Sequence, residues 1–258
     1  MFNPEKEFER ELGVFENEVN EAVQSFYAEQ TIHNVARRDR KLFDAINRHA
    51  PFWNLTVRAL QSNALIVLGR IFDRDSRTHS ISRLLQLASD HKEIFSKAAL
   101  ERRKRPVAGK STDELIRVGY VPATSDFARL QRYADKQRAI YDAQYKVIRD
   151  KFFAHKERKD ITAAFASASI PTLERLLVFL RQLHEAFWQL FHNGLKPILR
   201  PARRSARQIV MLSPRLYRGR DEQEWITRET KLLLVHVLDP RAEGSTKRHT
   251  ARNLSRVS

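Results

Sequence analysis

The chain has 258 residues, 30% of them charged and 42% hydrophobic, and it carries a formal net charge of +16. This length is enough to bury one large core or two small ones. The chain contains no cysteine, which excludes disulfide scaffolds and thiolate metal sites. The acidic start, MFNPEKEFEREL, and the absence of long apolar runs are typical of neither a secretion signal nor a membrane span. We therefore expect a cytoplasmic protein that does not contact membranes.

Helix-forming residues dominate the composition. Seven glycines and nine prolines are few for this length, whereas Ala, Leu, Arg, Lys and Glu are abundant. Segments with apolar residues at helical spacing follow one another with short breaks. They cover residues 5–29, 31–48, 51–73, 81–89, 90–104, 125–158, 171–193 and 221–238. The sequence predicts an all-α fold in the form of a helical bundle with additional helices.

The composition changes near residue 200. The stretch RPARRSARQIVMLSPRLYRGR begins there, followed by the amphipathic DEQEWITRETKLLLVHVL and a polar basic tail after Pro240. Such a tail has too few apolar residues to form a core of its own. We expect a helical domain over residues 1–199 and a basic C-terminal extension over residues 200–258, with one helix and a disordered tail.

The positive charge indicates the class of partner. A net charge of +16 attracts phosphate-bearing polymers and makes their binding sensitive to salt. This charge does not distinguish RNA from DNA. A basic surface can also meet anionic lipid or keep a protein soluble.

The stretch YKVIRDKFFAHKERKD, residues 145–160, contains the candidate catalytic residues. The apolar row Tyr141, Tyr145, Ile148 and Phe152 follows one helix face, and His155 continues it. Six residues of helix separate Arg149 and His155 by about 120° of rotation and about 9 Å along the axis. One unbroken helix therefore cannot focus both side chains on one atom. Either the helix loosens near its end, or a second subunit supplies its own pair of side chains.

Arginine and histidine in this setting fit RNA cleavage without a metal or other cofactor. The reaction needs a base for the 2′-hydroxyl proton, an acid for the departing 5′-oxygen and positive charge on the phosphate. His155 titrates near neutrality and fits the first or second role, while Arg149 fits the third. Asp150 could orient either side chain or contact the opposing subunit. The cations expected to guide the RNA backbone are Lys151, Lys156 and Arg158.

The segment IRDKFFAHKE resembles the signature of the HEPN superfamily, in which an arginine precedes a histidine by four to six positions near a helix end. ALIVLGRIFDRD followed by HSISRLLQL resembles the corresponding helices of the abortive-infection AbiU-like group, over roughly residues 5–195 in helix order. The resemblance implies a HEPN-like bundle that forms a homodimer through the 125–158 helix. It also implies a metal-independent endoribonuclease that leaves 2′,3′-cyclic phosphate ends, with Arg149 and His155 as the catalytic pair and Asp150 as the polar residue between them. The implied role is antiphage defence or a toxin, with an antitoxin or regulatory partner possible.

Other interpretations of these residues remain open. Histidine and cations at a helix C-terminus can simply interact with the helix dipole, and Asp150 can pair with Lys146 or Lys151. The chain could also be a non-catalytic nucleic-acid-binding or regulatory protein of a defence system. A second arginine–histidine pair, Arg74 and His79, lies in a polar turn and is expected in solvent.

His184 and His192 in LHEAFWQLFH share a helix face but lack a convincing carboxylate partner. Such imidazoles are more typical of packing or surface positions than of metal ligands, so we predict no metal site.

Overall fold

The computed structural model describes residues 2–75, 77–104, 116–150, 169–199 and 221–238. These ranges contain helices and no strand, which confirms the predicted all-α class. The α-helices are α1 Pro4–Ala36, α2 Arg40–Arg48, α3 Ala50–Ile71, α4 Ile81–Asp90, α5 Lys97–Lys104, α6 Thr124–Tyr141, α7 Ile170–Asn193 and α8 Glu222–Leu238. A short 3₁₀-helix, Lys92–Phe95, precedes α5.

Local capping decides several helix ends. The predicted break near residue 30 is wrong, because α1 continues to Ala36 and the chain turns at residues 37–39. There the Asp39 carboxylate accepts a hydrogen bond from the Leu42 amide at 3.1 Å and caps α2. Gly194 ends α7 with φ of 60°, a left-handed conformation that glycine adopts without strain. The stop predicted at Gly194 is confirmed.

Contacts divide the chain into two compact units, of which the first comprises residues 1–22 and 65–217. Its core contains an aromatic cluster in which the Phe8 ring lies 5.1 Å from Phe95, 5.1 Å from Phe191 and 5.8 Å from Phe187. A second aromatic row, Phe72, Tyr141 and Tyr145, stacks with centroid distances of 5.3 and 6.4 Å. This row lies directly before the predicted catalytic stretch, so the helix that carries it is held by packing.

The second unit comprises residues 23–64 and 218–258. Its core joins Ile32, Leu42, Trp53 and Leu234, so that α8 packs with helices from the first quarter of the chain. Polar contacts add to this packing: the Gln24 amide donates to Glu222 at 2.9 Å, and the Asn63 amide donates to the Ser25 hydroxyl at 2.9 Å. The predicted division into a helical domain over residues 1–199 and an extension over residues 200–258 stays a prediction.

Each described helix is too short or too polar to span a lipid bilayer. Several apolar side chains of α3 and α8 are nevertheless exposed, among them Phe52, Leu55, Leu233 and Val235.

Candidate active site

The structure describes two of the six predicted site residues, Arg149 and Asp150, at the end of the stretch that follows α6. The other four, Lys151, His155, Lys156 and Arg158, lie outside the described residues. The pairing of Arg149 with His155 therefore stays a prediction. The structure does show how the chain holds Arg149.

A widened helical turn precedes Arg149. The α6 helix passes into a π-helical turn over Asp142–Lys146, and helical geometry continues to residue 150. We call residues 124–150 the motif helix. Hydrogen bonds in a π-turn span five residues, whereas those in an α-helix span four. The wider turn changes the direction in which the following side chains point. The loosening predicted near the helix end, at residues 154–160, lies outside the described residues and stays a prediction.

The apolar row of the motif helix is buried as predicted. Tyr141, Tyr145 and Ile148 are each exposed by 2% or less. The Tyr145 hydroxyl donates to the Ser169 carbonyl at 2.5 Å, which links the motif helix to the start of α7. Phe152, the next member of the row, lies outside the described residues. Burial of this face fixes the orientation of the motif helix and therefore where Arg149 emerges.

The Arg149 guanidinium is held by the neighbouring carboxylate. Its Nε donates to Asp150 Oδ1 at 2.7 Å, and its Nη2 lies 2.5 Å from the same oxygen. Asp150 Oδ2 accepts from Lys146 Nζ at 2.5 Å. Asp150 thus pairs with Lys146, as one of the alternatives predicted, and it also orients Arg149. Both side chains keep partial solvent exposure, 24% for Arg149 and 31% for Asp150.

Two further residues contact Arg149, and sequence reasoning assigned neither of them. Gly69, buried in α3, packs against Cδ, Cζ and Nη1 of Arg149. Tyr141 lies close enough to the guanidinium for a side-chain hydrogen bond, and its hydroxyl donates to the Leu65 carbonyl at 3.2 Å. A glycine in an apolar helix is the signal that could have indicated a close approach at position 69.

Electrostatics keep this cluster charged. Burial disfavours the charged form of Arg149, but Tyr141 and Asp150 outweigh it and raise the pKa of the guanidinium above its ordinary value. Burial also opposes ionisation of Asp150, yet Lys146 and Arg149 lower the pKa of this carboxyl. Burial raises the pKa of Tyr141, so its phenol stays protonated at neutral pH. The arrangement presents a fixed cation that can bind a phosphate oxygen.

The second arginine–histidine pair has other partners. Arg74 Nη2 lies 3.2 Å from Asp142 Oδ2, and His79 Nδ1 lies 2.8 Å from Glu11 Oε2. The expectation that His79 points into solvent is wrong in part, because its half-exposed ring is bound to a carboxylate that is only 3% exposed. A buried carboxylate needs such a partner, and a sequence pattern does not reveal it.

His184 and His192 are packing residues, as predicted. His184 is buried in α7, and its Nε2 lies 3.7 Å from Glu16 Oε2, which is longer than a hydrogen bond. The His192 ring packs against Trp188 at 4.9 Å. Burial lowers the pKa of each imidazole to about 4. Nowhere in the described ranges do three or more His, Asp or Glu side chains group in a way that could hold a metal ion.

Comparison with known proteins identifies the family. The HEPN_AbiU2 family model, described as AbiU2, matches residues 5–209. No curated protein and no solved structure gives a significant match. The match spans well over half of the 258 residues and includes the whole predicted site. The chain belongs to the HEPN AbiU2 family, which indicates a role in abortive-infection defence.

Proposed function

We propose that this protein is a metal-independent endoribonuclease that acts as a homodimer in antiphage defence. The observation that carries the proposal is the orientation of Arg149, whose guanidinium is held by Asp150 on a helix with one buried face and still reaches solvent. A cation that needs no reorganisation during a reaction stabilises developing negative charge well. Its place in the motif of a HEPN AbiU2 chain supports the assignment.

The chemistry assigns complementary roles to Arg149 and His155. Arg149 binds the scissile phosphate and neutralises charge on its oxygens while the 2′-oxygen attacks phosphorus. His155 takes the 2′-hydroxyl proton or gives a proton to the departing 5′-oxygen. The bond from phosphorus to the 2′-oxygen forms as the bond to the 5′-oxygen breaks. The products are a 2′,3′-cyclic phosphate and a free 5′-hydroxyl.

Two copies of the chain would supply the complete site. Arg149 and His155 on one regular helix lie about 120° apart, so a single copy does not direct both at one phosphate. A two-fold axis through the 125–158 helix would bring the Arg149 of one subunit towards the His155 of the other. Lys151, Lys156 and Arg158 would guide the RNA backbone. A toxin of this kind would need an antitoxin or a regulatory partner to restrain it.

A non-catalytic role in binding nucleic acid is the second candidate. It is favoured by the carboxylate that occupies Nε and Nη2 of Arg149, since a structural ion pair accounts equally well for that contact. The net charge of +16 would then be the main source of affinity for RNA. In this case replacement of His155 would leave RNA binding unchanged, and no cleavage would occur.

The decisive experiment compares RNA cleavage by wild type, Arg149→Ala and His155→Ala in the presence of a metal chelator. Arg132→Ala is the matched control, because Arg132 is exposed on the same helix and its loss removes the same charge. We expect cleavage to fall at least about 100-fold in the first two variants, with cyclic phosphate ends from wild type and Arg132→Ala. Equal cleavage by all four proteins, or cleavage abolished by the chelator, would overturn the proposal.

Mixing of inactive variants tests the shared site. Arg149→Ala and His155→Ala chains are unfolded together and refolded, so that mixed dimers form. If one subunit supplies Arg149 and the other His155, the mixed dimer contains one intact site and regains part of the activity. Each variant refolded alone is the control. Absence of any recovery, with mixed dimers verified by mass, would contradict the shared site.

A further inference from the structure

Gly69 lies in the last turns of α3, among the buried residues Leu65, Val67, Leu68 and Ile71. Glycine is less favourable than alanine inside a helix, because it loses more backbone freedom on folding. The apolar sequence around position 69 gives no reason to prefer glycine over alanine. The reason for a glycine at this position therefore lies in the space that a β-carbon would occupy.

That space is filled by Arg149. A β-carbon at position 69 would lie 2.7 Å from Cδ and 2.9 Å from Cζ of Arg149, and closer still to Nη1. Real β-carbons essentially never come within 3.0 Å of such atoms. The Arg149 side chain thus packs closely against the backbone of α3 at Gly69, where a β-carbon would need it to move.

Other contacts hold the guanidinium in the same place. Asp150 binds Nε and Nη2, which leaves Nη1 directed at Gly69. Tyr141, which lies next to the guanidinium, donates its hydroxyl proton to the carbonyl oxygen of Leu65, one turn before Gly69 on α3. Contacts from α3 and from the motif helix thus converge on one side chain. An added methyl group would displace the Arg149 guanidinium from its position against α3.

We propose that Gly69 is a positioning residue, whose missing side chain gives the Arg149 guanidinium its place on α3. As a role in the reaction, this inference rests on the proposed endoribonuclease function. Gly69 itself touches neither RNA nor the reacting atoms. Its effect on catalysis is exerted through the direction in which Arg149 presents its charge.

Gly13 offers a matched control. It lies inside α1, and a β-carbon added there meets nothing within 4 Å. Gly13→Ala therefore reports the gain from helix propensity alone. Both glycines are replaced by alanine in the wild type and in Arg149→Ala, and the melting temperature of all variants is measured.

The expected result is a background-dependent effect at position 69. Gly13→Ala raises Tm by about 2–4 °C in both backgrounds. Gly69→Ala raises Tm by a similar amount only in Arg149→Ala, and lowers it or prevents folding when Arg149 is present. An equal change in both backgrounds, or failure to fold in both, would overturn the inference.

Kinetics and a spectroscopic signal separate positioning from general destabilisation. In folded Gly69→Ala protein, kcat falls by about tenfold or more while KM for RNA changes little, because Arg149 acts mainly in the transition state. The Nε–H resonance of Arg149, identified by its absence in Arg149→Lys, shifts in Gly69→Ala but not in Gly13→Ala. Unchanged kcat together with an unshifted resonance contradicts the positioning role.

Failure of the proposed function is distinguishable from failure of this inference. If Arg149→Ala cleaves RNA as well as wild type, the endoribonuclease proposal and the catalytic part of the role of Gly69 are both wrong. The Tm comparison and the Arg149 resonance do not depend on cleavage. They alone decide whether Gly69 provides the place for the guanidinium.

Discussion

The Tyr141 hydroxyl donates a hydrogen bond to the Leu65 carbonyl at 3.2 Å and so ties the motif helix to α3. Tyr141 is 1% exposed, and its ring stacks on Phe72 at 5.3 Å. The bond lies one helical turn from the contact between Gly69 and Arg149. The core of the first unit and the candidate site therefore depend on the same pair of helices.

Tyr141→Phe should lower the free energy of unfolding by about 1 kcal/mol, because it removes a hydrogen bond between two buried groups, the Tyr141 hydroxyl and the Leu65 carbonyl. Urea unfolding measures the change. Tyr133→Phe is the control, since Tyr133 is 45% exposed on the same helix and its replacement should change stability by less than about 0.5 kcal/mol. Equal effects of the two substitutions would show that the Tyr141 hydroxyl contributes nothing specific.

Asp150→Asn should strengthen the binding of an RNA that cannot be cleaved, such as a 2′-O-methyl RNA. Asp150 occupies Nε and Nη2 of Arg149, two of the nitrogens that a phosphate could also use, and its negative charge repels the phosphate. Removing one charge at about 4 Å in water is worth about 1 kcal/mol, or about fivefold in Kd. Fluorescence anisotropy measures the affinity.

Asp142→Asn is the control for that substitution. It removes the same charge from the same helix, but Asp142 pairs with Arg74 rather than with Arg149. We expect its effect on Kd to be below about twofold, the size of a general charge effect. An Asp150→Asn variant that binds RNA more weakly than wild type would contradict competition between Asp150 and phosphate.

Stability should fall between pH 7 and pH 5 because of His184. In the unfolded chain this imidazole takes up a proton near pH 6.5, whereas burial lowers its pKa in the folded protein to about 4. The unfolded state thus binds more protons in this range, so the free energy of unfolding decreases as pH falls. The contribution at pH 5 is about 2 kcal/mol, from about 1.4 kcal/mol per pH unit.

His184→Leu should make this pH dependence shallower, since leucine fills a similar volume and does not titrate. His192, whose pKa burial also lowers to about 4, would retain part of the slope. His49→Leu, at an exposed position, should leave the slope as in wild type. Urea unfolding at pH 7, 6 and 5 provides the comparison, and an unchanged slope in His184→Leu would contradict burial as its cause.

Gly194→Ala should lower the free energy of unfolding by about 1–3 kcal/mol. Position 194 has φ of 60°, which costs an alanine about 1–2 kcal/mol. A β-carbon there would also lie 2.6 Å from Leu100 Cδ2. Gly13→Ala, with helical backbone and open space, should be stabilising. Unfolding curves of both variants check the difference, and equal stability would show that the left-handed cap is unimportant.

The sequence by itself determined the helical class, most helix positions and the candidate motif. These follow from local rules: apolar residues at steps of three and four define the buried face of a helix, and Gly194 marks its end. The buried row Tyr141, Tyr145 and Ile148 was predicted for this reason. The spacing predicts the end of α1 six to seven residues too early, because the local signal for the break is the capping side chain of Asp39 at the start of α2 and not the apolar pattern.

Only the tertiary structure decided what surrounds Arg149. The guanidinium contacts Gly69, 80 positions earlier in the chain, and the Tyr141 hydroxyl finds its acceptor at Leu65. The carboxylate of Glu11 likewise meets His79, although both look like surface residues in the sequence. Such contacts depend on how two helices pack and on which turn of each faces the other. Periodicity in the sequence specifies which face of a helix is buried. It does not specify which other helix packs on that face, or which residues of the two helices come into contact.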